Sequence, residues 1–364
     1  MKGRFRNRRN LLRMGAALGA AACLRNGAAL AADAAAATGT AASAAKGASH
    51  AALSIGLLRN PVSGLIAVTD QKGWFKAAGL DLTSVLFSGA GGPKVLQAMG
   101  GGAVGIGSVS VTAALLALAA NAIPLRIVSI STDPAPVFAL LAAPEIDSIP
   151  KLAGKRVATT AGTGLHYFLA RALGKFGMRL ADVEFLNLPV GDAQAAFLAK
   201  RVDAVVPSLT GRYYIQSLRK DTRQLFTYDD FAKPPGPTTR FDDYDVFVAP
   251  QAVVEGNGVA LRTFLTAYHD KGVRYLRNAA TQEAAIADVT RYVNAEQKSP
   301  TDESAMRQQL LKSRFFDVRE ARDILASDAF RAGLEDQVRF FVDAKQIPAS
   351  IPVDATIARG LLAS

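Results

Sequence analysis

Cysteine occurs once in this 364-residue chain, at Cys23, and histidine three times, at His50, His166 and His269. One cysteine can form neither an internal disulfide nor a cluster of thiolate ligands, and three scattered histidines lack the spacing of a metal site. Beyond the first thirty residues no apolar run reaches the roughly 20 residues needed to cross a bilayer. The longest, residues 109–120, is interrupted by Ser110 and Thr112. Also missing are a Gly-x-Ser-x-Gly elbow, a phosphate loop ending in Gly-Lys-Ser or Gly-Lys-Thr, the full dinucleotide spacing, a sequence repeat and a DNA-binding helix-turn-helix. These absences argue against catalysis of the familiar hydrolase kinds, against a cofactor and against a nucleic-acid partner. What the chain has is apolar bulk. Half its residues are hydrophobic, which excludes disorder and, with this length, favours two domains.

Acidic residues are absent from residues 1–31, where Lys2, Arg4, Arg6, Arg8, Arg9, Arg13 and Arg25 lie. Of the formal charge of +11, this segment supplies seven, so the remainder is close to neutral and needs no polyanionic partner. Basic residues up to Arg13, an apolar stretch over 14–24 and Ala29-Leu30-Ala31 compose a cleaved export signal. Asn7-Arg8-Arg9-Asn10-Leu11-Leu12 resembles the twin-arginine pattern, read by a receptor that exports folded proteins. A rival reading makes Cys23 a lipid-anchored residue, although Ala20 stands where such a site prefers Leu. Residues 32–50, almost all Ala, Gly, Ser and Thr, read as a leader without structure. The mature product is expected to be soluble and periplasmic.

From residue 53 the hydrophobic period alternates between two and 3.6. Strands are expected at 53–58, 80–87, 104–106 and 125–130, with helices over 65–78, from Pro93 and over 112–120, the signature of an open parallel sheet covered by helices. Thr132-Asp133-Pro134-Ala135-Pro136 breaks the pattern. A second set follows: strands at 137–142, 156–160, 184–187, 204–206 and 244–249, with helices over 165–176 and 193–199. The rest is helical, at 261–278, 282–294, 303–313, 319–326 and 330–344.

Three small-residue turns each follow a strand and open a helix: Ser88-Gly89-Ala90-Gly91-Gly92, Gly107-Ser108-Val109-Ser110 and Thr160-Ala161-Gly162-Thr163-Gly164. At such a junction unpaired N–H groups and the positive end of the helix dipole favour an anion, and glycine lets it approach. Any one of these turns can equally be a mere cap. Two lie in the first half and one in the second, which suits an anion clamped between two lobes.

These turns sit in a wider pattern. It comprises Lys72-Gly73-Trp74-Phe75 running to Gly79-Leu80-Asp81-Leu82, Phe87-Ser88-Gly89-Ala90 with Val95-Leu96-Gln97-Ala98, and Val104-Gly105-Ile106-Gly107-Ser108. Leu152-Ala153-Gly154-Lys155-Arg156-Val157-Ala158 leads to Gly162-Thr163-Gly164-Leu165-His166, and Asp192-Ala193-Gln194-Ala195-Ala196-Phe197 to Val202-Asp203-Ala204-Val205. Over residues 53–226 the chain resembles the periplasmic solute-binding proteins of ABC importers, in the nitrate, taurine and alkanesulfonate family. The resemblance implies a type II periplasmic-binding-protein fold: two α/β lobes joined by two crossings, near 133–136 and 245–249, with a helical C-terminal segment. Lobe 1 would hold 51–133 and 248–364, and lobe 2 residues 134–247. The chain departs from the family at Pro207-Ser208-Leu209-Thr210-Gly211-Arg212-Tyr213, where an aromatic residue and Asp-Pro-Tyr are usual.

The candidate ligand contacts are Asn60, Ser88, Gly89, Ala90, Ser108, Thr132, Thr160, Gly162, Thr163, Gly164, His166, Asp192 and Arg212. Each has a plainer alternative. Asn60 can simply build the turn before Pro61, Asp192 can be a helix N-cap, and His166 and Arg212 can be solvated. His166 could donate to an oxyanion, and Arg212 could pair with a sulfonate through its planar fork. Trp74 and Phe75 read as core. The expected protein is a non-enzymatic, monomeric receptor for a small oxyanion, with an ABC permease as partner and neither metal nor cofactor. The runner-up is an exported enzyme or binding protein of the related thiamine-pyrimidine precursor branch.

Overall fold

The computed structural model describes residues 50–87, 91–234, 243–295, 300–348 and 350–362. The expected export signal with Cys23, the expected leader up to residue 49 and the turn residues Ser88, Gly89 and Ala90 lie outside them.

The chain enters through β1 (Ala51–Leu57) and turns at Asn60, whose Oδ1 accepts from the Ser63 N–H at 2.9 Å and so starts α1 (Pro61–Gln71). Pro61 stands in the first turn, where its missing N–H costs nothing. The single helix expected over 65–78 is two. Gly73, in the left-handed region at φ 71°, separates α1 from α2 (Trp74–Ala77). The alternation continues through β2 (Leu80–Leu86), α3 (Gly92–Gly100), β3 (Ile106–Ser110), α4 (Val111–Ala119) and β4 (Leu125–Asp133). β1 pairs parallel with both β2 and β3.

A 3-10 turn at Ala135–Val137 then carries the chain into a second sheet. Its elements are β5 (Ala139–Ala142), β6 (Arg156–Thr159), α5 (Gly164–Gly174), β7 (Glu184–Asn187), α6 (Val190–Leu198), β8 (Ala204–Val205), α7 (Leu209–Leu218) and β9 (Arg223–Thr227). The strand order is β7-β6-β8-β5-β9. Two of these elements, α7 and β9, have no counterpart in the sequence reading. The hydrophobic period there is short and broken by charged residues.

β10 (Asp245–Pro250) belongs to the first sheet, so the return passage is complete by Asp245. It lies between β3 and β4 and runs antiparallel to both, which makes that sheet mixed rather than wholly parallel. Val246, Phe247, Val248 and Ala249 are all buried, the continuous apolar run that a central strand covered on both faces requires. The remaining elements are α8 (Gln251–Gly256), α9 (Gly258–Ala267), a π-helical stretch at Tyr268–Val273, α10 (Arg274–Arg277), α11 (Gln282–Asn294), α12 (Glu303–Lys312), β11 (Arg314–Phe315), α13 (Val318–Ala326), α14 (Asp328–Asp343) and α15 (Val353–Thr356). β11 adds to the edge of the first sheet beside β4.

Each sheet has its own aromatic centre. In the first, Phe75 stacks on Phe264 at 5.1 Å while Phe247 meets Phe264 and Tyr268 edge-on at 5.3 and 5.0 Å. In the second, Phe226 and Phe231 meet edge-on at 4.9 Å, with Phe168 beside both. Between the two, Tyr167 of α5 packs against Phe340 and Phe341 of α14 at 5.3 and 5.7 Å. Among the described residues, no helix is long and apolar enough to cross a membrane.

Candidate functional site

The ends of β3, β4 and β6 and the beginning of β10 meet at one place, and the helices that start there decide its chemistry. Ser110 caps α4 by accepting from the Ala113 N–H at 3.2 Å. One residue into α4, Thr112 presents both its backbone N–H and its hydroxyl. Facing it from the other sheet is the start of α5, where the backbone bends through Gly162 at φ 70° into Thr163 and Gly164.

Both helix starts are occupied by one side chain. Asp243, in the extended residues just before β10, accepts at Oδ1 from Thr112 Oγ1 at 3.1 Å and from Thr112 N at 3.4 Å. Its Oδ2 rests against Gly164 so closely that a Cβ added there would lie 1.6 Å from it. A side chain at 164 would displace the Asp243 carboxylate, so Asp243 takes this place only against a glycine. Thr112 Oγ1 also lies 3.1 Å from Gln337 Oε1 of α14. Asp243 is buried, 1% exposed, and its Oδ2 has no hydrogen-bond partner among the described residues. Burial first, then the neighbouring charges of Asp245 and Asp133, raise its pKa well above the usual carboxylate range.

Asp245 stands opposite Ser110 and Thr132 in the ladder, and shielding from water together with Asp133 pushes its pKa up to about 7. Asp133 is held differently. Its Oδ1 accepts from the Ala135 N–H at 3.0 Å, and its Oδ2 accepts from Arg314, from Nε at 2.9 Å and also from Nη2. Three carboxylates thus share this junction, and among the described residues only Asp133 has a cation on it.

The residues singled out in the sequence are placed as follows. Ser108 is buried and its hydroxyl bonds that of Ser131 at 2.8 Å, while Thr132 Oγ1 donates to the Arg314 carbonyl at 2.8 Å. Thr160 Oγ1 donates to Leu188 O at 2.8 Å and Thr163 Oγ1 to Thr160 O at 2.7 Å, so the hydroxyls of this bend close the bend itself. Gly162 N donates to His166 Nδ1 at 3.4 Å, and the His166 ring stacks on Phe185 at 5.1 Å. Burial lowers the His166 pKa, so the ring is neutral and its Nδ1 is an acceptor toward the bend. Asn60 is spent on its cap. Asp192 is exposed and lies inside the first turn of α6 rather than at its N-cap, which is Pro189.

Arg212, 9% exposed, is not a solvated arginine. Its Nη1 donates to Val137 O at 3.0 Å and its Nη2 to Gln224 Oε1, tying α7 to the first passage between the sheets and to β9. Its Nε has no partner among the described residues, and burial pulls its pKa down. The structure therefore brings Gly164 to the convergence and sets Thr132 opposite Asp245, while the side chains of Asn60 and Arg212 bond Ser63, Val137 and Gln224.

The sequence reading missed Thr112, Asp133, Asp243, Asp245 and Gln337. The available signal was Asp243-Tyr244-Asp245, two acids opening an otherwise apolar central strand. Two surface pockets, of about 370 and 180 Å³, lie elsewhere, one beside Glu335 and Ser350, the other beside Glu145 and Lys200. Among the described residues, no group of three or more His, Cys, Asp or Glu side chains is arranged to hold a metal ion.

Two mixed α/β sheets joined by two passages of chain, with helix starts meeting between them, define the periplasmic-binding-protein fold. The chain belongs to the NMT1/THI5-like family, which matches it over residues 60–282. Among curated proteins, a Brucella abortus protein named as a binding protein is 29% identical over 140 residues, covering 38% of this chain and 42% of that one. An Escherichia coli protein named for binding aliphatic sulfonates is 32% identical over 117 residues, 31% of this chain and 36% of that one. The match therefore spans less than half of either relative. Among solved structures, the periplasmic aliphatic sulphonate binding protein SsuA of Escherichia coli superposes with a TM-score of 0.68 at 20% identity, covering 85% of this chain and 92% of that one. The alkanesulfonate-binding protein SsuA of Xanthomonas axonopodis, bound to MOPS, gives 0.68 at 20% identity over 87% and 100%. The desulfurization enzyme DSZB shares the fold at 0.60 and 15% identity, over 86% and 98%.

Proposed function

We propose that this protein is a periplasmic solute-binding receptor that captures a small organic oxyanion of the sulfonate kind between its two halves and delivers it to an ABC importer. The observation that carries the reading is the convergence of two helix starts, α4 from one half and α5 from the other, on one buried carboxylate group. A place that draws in an acidic side chain from the same chain is suited to an acidic group from outside. Unpaired N–H groups and the helix dipoles supply the attraction without any cation. The names of the sulfonate-binding relatives support the ligand class.

Closure follows from the geometry of such a site. An anion held by Thr112 on one side and by the α5 start on the other stabilises only the conformation in which both are near, so binding shifts the population toward the closed form. The closed form is then the one the permease engages. Isothermal titration against nitrate, taurine, methanesulfonate, longer alkanesulfonates and aromatic sulfonates tests the reading. Heat is expected from at least one sulfonate, and Thr112→Ala is expected to weaken it about tenfold, one charge-assisted hydrogen bond. Silence across the panel overturns it.

A second reading is favoured by one detail. The Oδ2 of Asp243, without a partner among the described residues, would suit a ligand bearing N–H donors, as in the thiamine-pyrimidine precursor branch, whether bound or chemically altered. An aminopyrimidine belongs in the same titration.

A further inference from the structure

This inference rests on the receptor reading above and concerns what sets its selectivity. We propose that Asp243 is an internal competitor for the bound anion: its carboxylate fills the place, between the starts of α4 and α5, that the acidic group of an incoming solute takes.

The fit of Asp243 to that place is good in position and poor in satisfaction. Position is set by the Thr112 hydroxyl at 3.1 Å and by the close approach of Oδ2 to Gly164. Satisfaction fails at three points. The Thr112 N–H is distant at 3.4 Å, Oδ2 is buried with no donor among the described residues, and Asp245 and Asp133 bring like charge nearby. A buried acidic group left with an unpaired oxygen is held at a cost in desolvation. Asp243 also lies outside any strand or helix, so its side chain can turn away without unpairing β10 from β3 and β4.

Competition of this kind discriminates by chemistry. A carboxylate solute offers the donors the same group that Asp243 already supplies, and at far lower effective concentration, so it gains nothing. A sulfonate brings a third oxygen and a charge that persists wherever the carboxylate would be protonated. The residue therefore acts as a filter that passes strong oxyanions and rejects carboxylates.

The test compares the wild-type protein with Asp243→Ala and the shape-preserving Asp243→Asn, using methanesulfonate and acetate in calorimetric titration and thermal-shift measurements. Methanesulfonate is expected to bind Asp243→Ala at least tenfold more tightly than wild type, with a smaller gain for Asp243→Asn. Acetate is expected to raise the Tm of Asp243→Ala and to leave wild type unmoved. If acetate stabilises Asp243→Ala while no sulfonate binds either protein, the competitor stands and the sulfonate reading falls. If both variants bind methanesulfonate no better than wild type and acetate has no effect, the proposal is overturned. A loss of affinity for an aminopyrimidine in Asp243→Asn overturns it as well, because Asp243 would then be a contact. Should Asp243→Ala not fold, wild-type crystals soaked in methanesulfonate decide. A sulfonate on Thr112 with Asp243 turned aside supports the proposal, and a sulfonate elsewhere with Asp243 still on Thr112 overturns it.

Discussion

His269 and Asp245 load the protein with opposite dependences on pH. His269 is fully buried, with Nδ1 donating to the Phe316 carbonyl at 2.7 Å and Nε2 accepting from Ser129 Oγ at 3.0 Å. Burial pulls its pKa down to about 4 from 6.5. The unfolded chain therefore takes up this proton first as pH falls. The stability that the neutral ring supports is full above pH 6.5 and declines through the interval down to about 4, by roughly 3 kcal/mol. Asp245 runs the other way. Its pKa is raised to about 7, so its contribution is full below 3.8 and is lost as pH rises through 7. Asp245→Asn removes that loss. It is expected to melt above wild type at pH 8, with the gap closing toward pH 4, and to lose stability more steeply than wild type between pH 6.5 and 4. Thermal melts across this range check both halves of the argument. Equal Tm for the two proteins at pH 8 would show that Asp245 is not held out of its ordinary range.

At the scale of elements, the positions that matter are where backbones come close. Gly272, in the π-helical stretch, faces α1 so tightly that a Cβ would lie 2.3 Å from Thr69 Oγ1, whose hydroxyl already donates to Leu65 O at 2.7 Å. Gly272→Ala is expected to destabilise by about 1–3 kcal/mol in urea unfolding, the usual cost of overpacking. An unchanged midpoint would mean that α9 and α10 can slide on α1. Lys200 gives the reverse case. It follows α6 with φ 57°, a left-handed conformation that a side chain strains and glycine adopts freely. Lys200→Gly is expected to raise stability by up to about 1 kcal/mol by the same measurement. Much at this scale was readable in the sequence. The span of α11 at Gln282–Asn294 and of β7 at Glu184–Asn187 follows directly from hydrophobic period. The failures are of one kind. α7 and β9 carry little period of their own, and β10 is apolar on both faces, so nothing local told which way it runs or between which strands it inserts.

For the whole molecule, the two sheets act on one another through α5 and α14. Tyr167 packs on Phe340 and Phe341, and its phenol accepts from Arg171 Nη1 at 2.6 Å. Tyr167→Ala is expected to cost about 3 kcal/mol, as for other buried aromatics. Because the contact joins the halves rather than lying within one, it should also enlarge the radius of gyration in solution scattering. A stability loss with unchanged radius would place the contact inside one folding unit and not across the passage. Saturating ligand, if it bridges Thr112 and α5, is expected to restore the compact radius and to raise the Tm, by roughly 2.7 kcal/mol of stability at a concentration one hundred times Kd.

Most strands and helices outside α7 and β9, and the bend from Thr160 to Gly164, were set by the sequence alone, because each depends on neighbours within about four residues. The composition of the convergence was not. Thr112 and Asp243 are 131 residues apart, and no spacing rule connects them. They meet because β10 returns to the centre of the first sheet and delivers an acidic residue to the junction of two helix starts, where Thr112 of α4 donates to it and Gly164 of α5 lies against it. Only the tertiary structure could decide that the bend at Gly164 would face the chain's own carboxylate, since that contact is fixed by strand order and by the exclusion of water, neither of which is written locally.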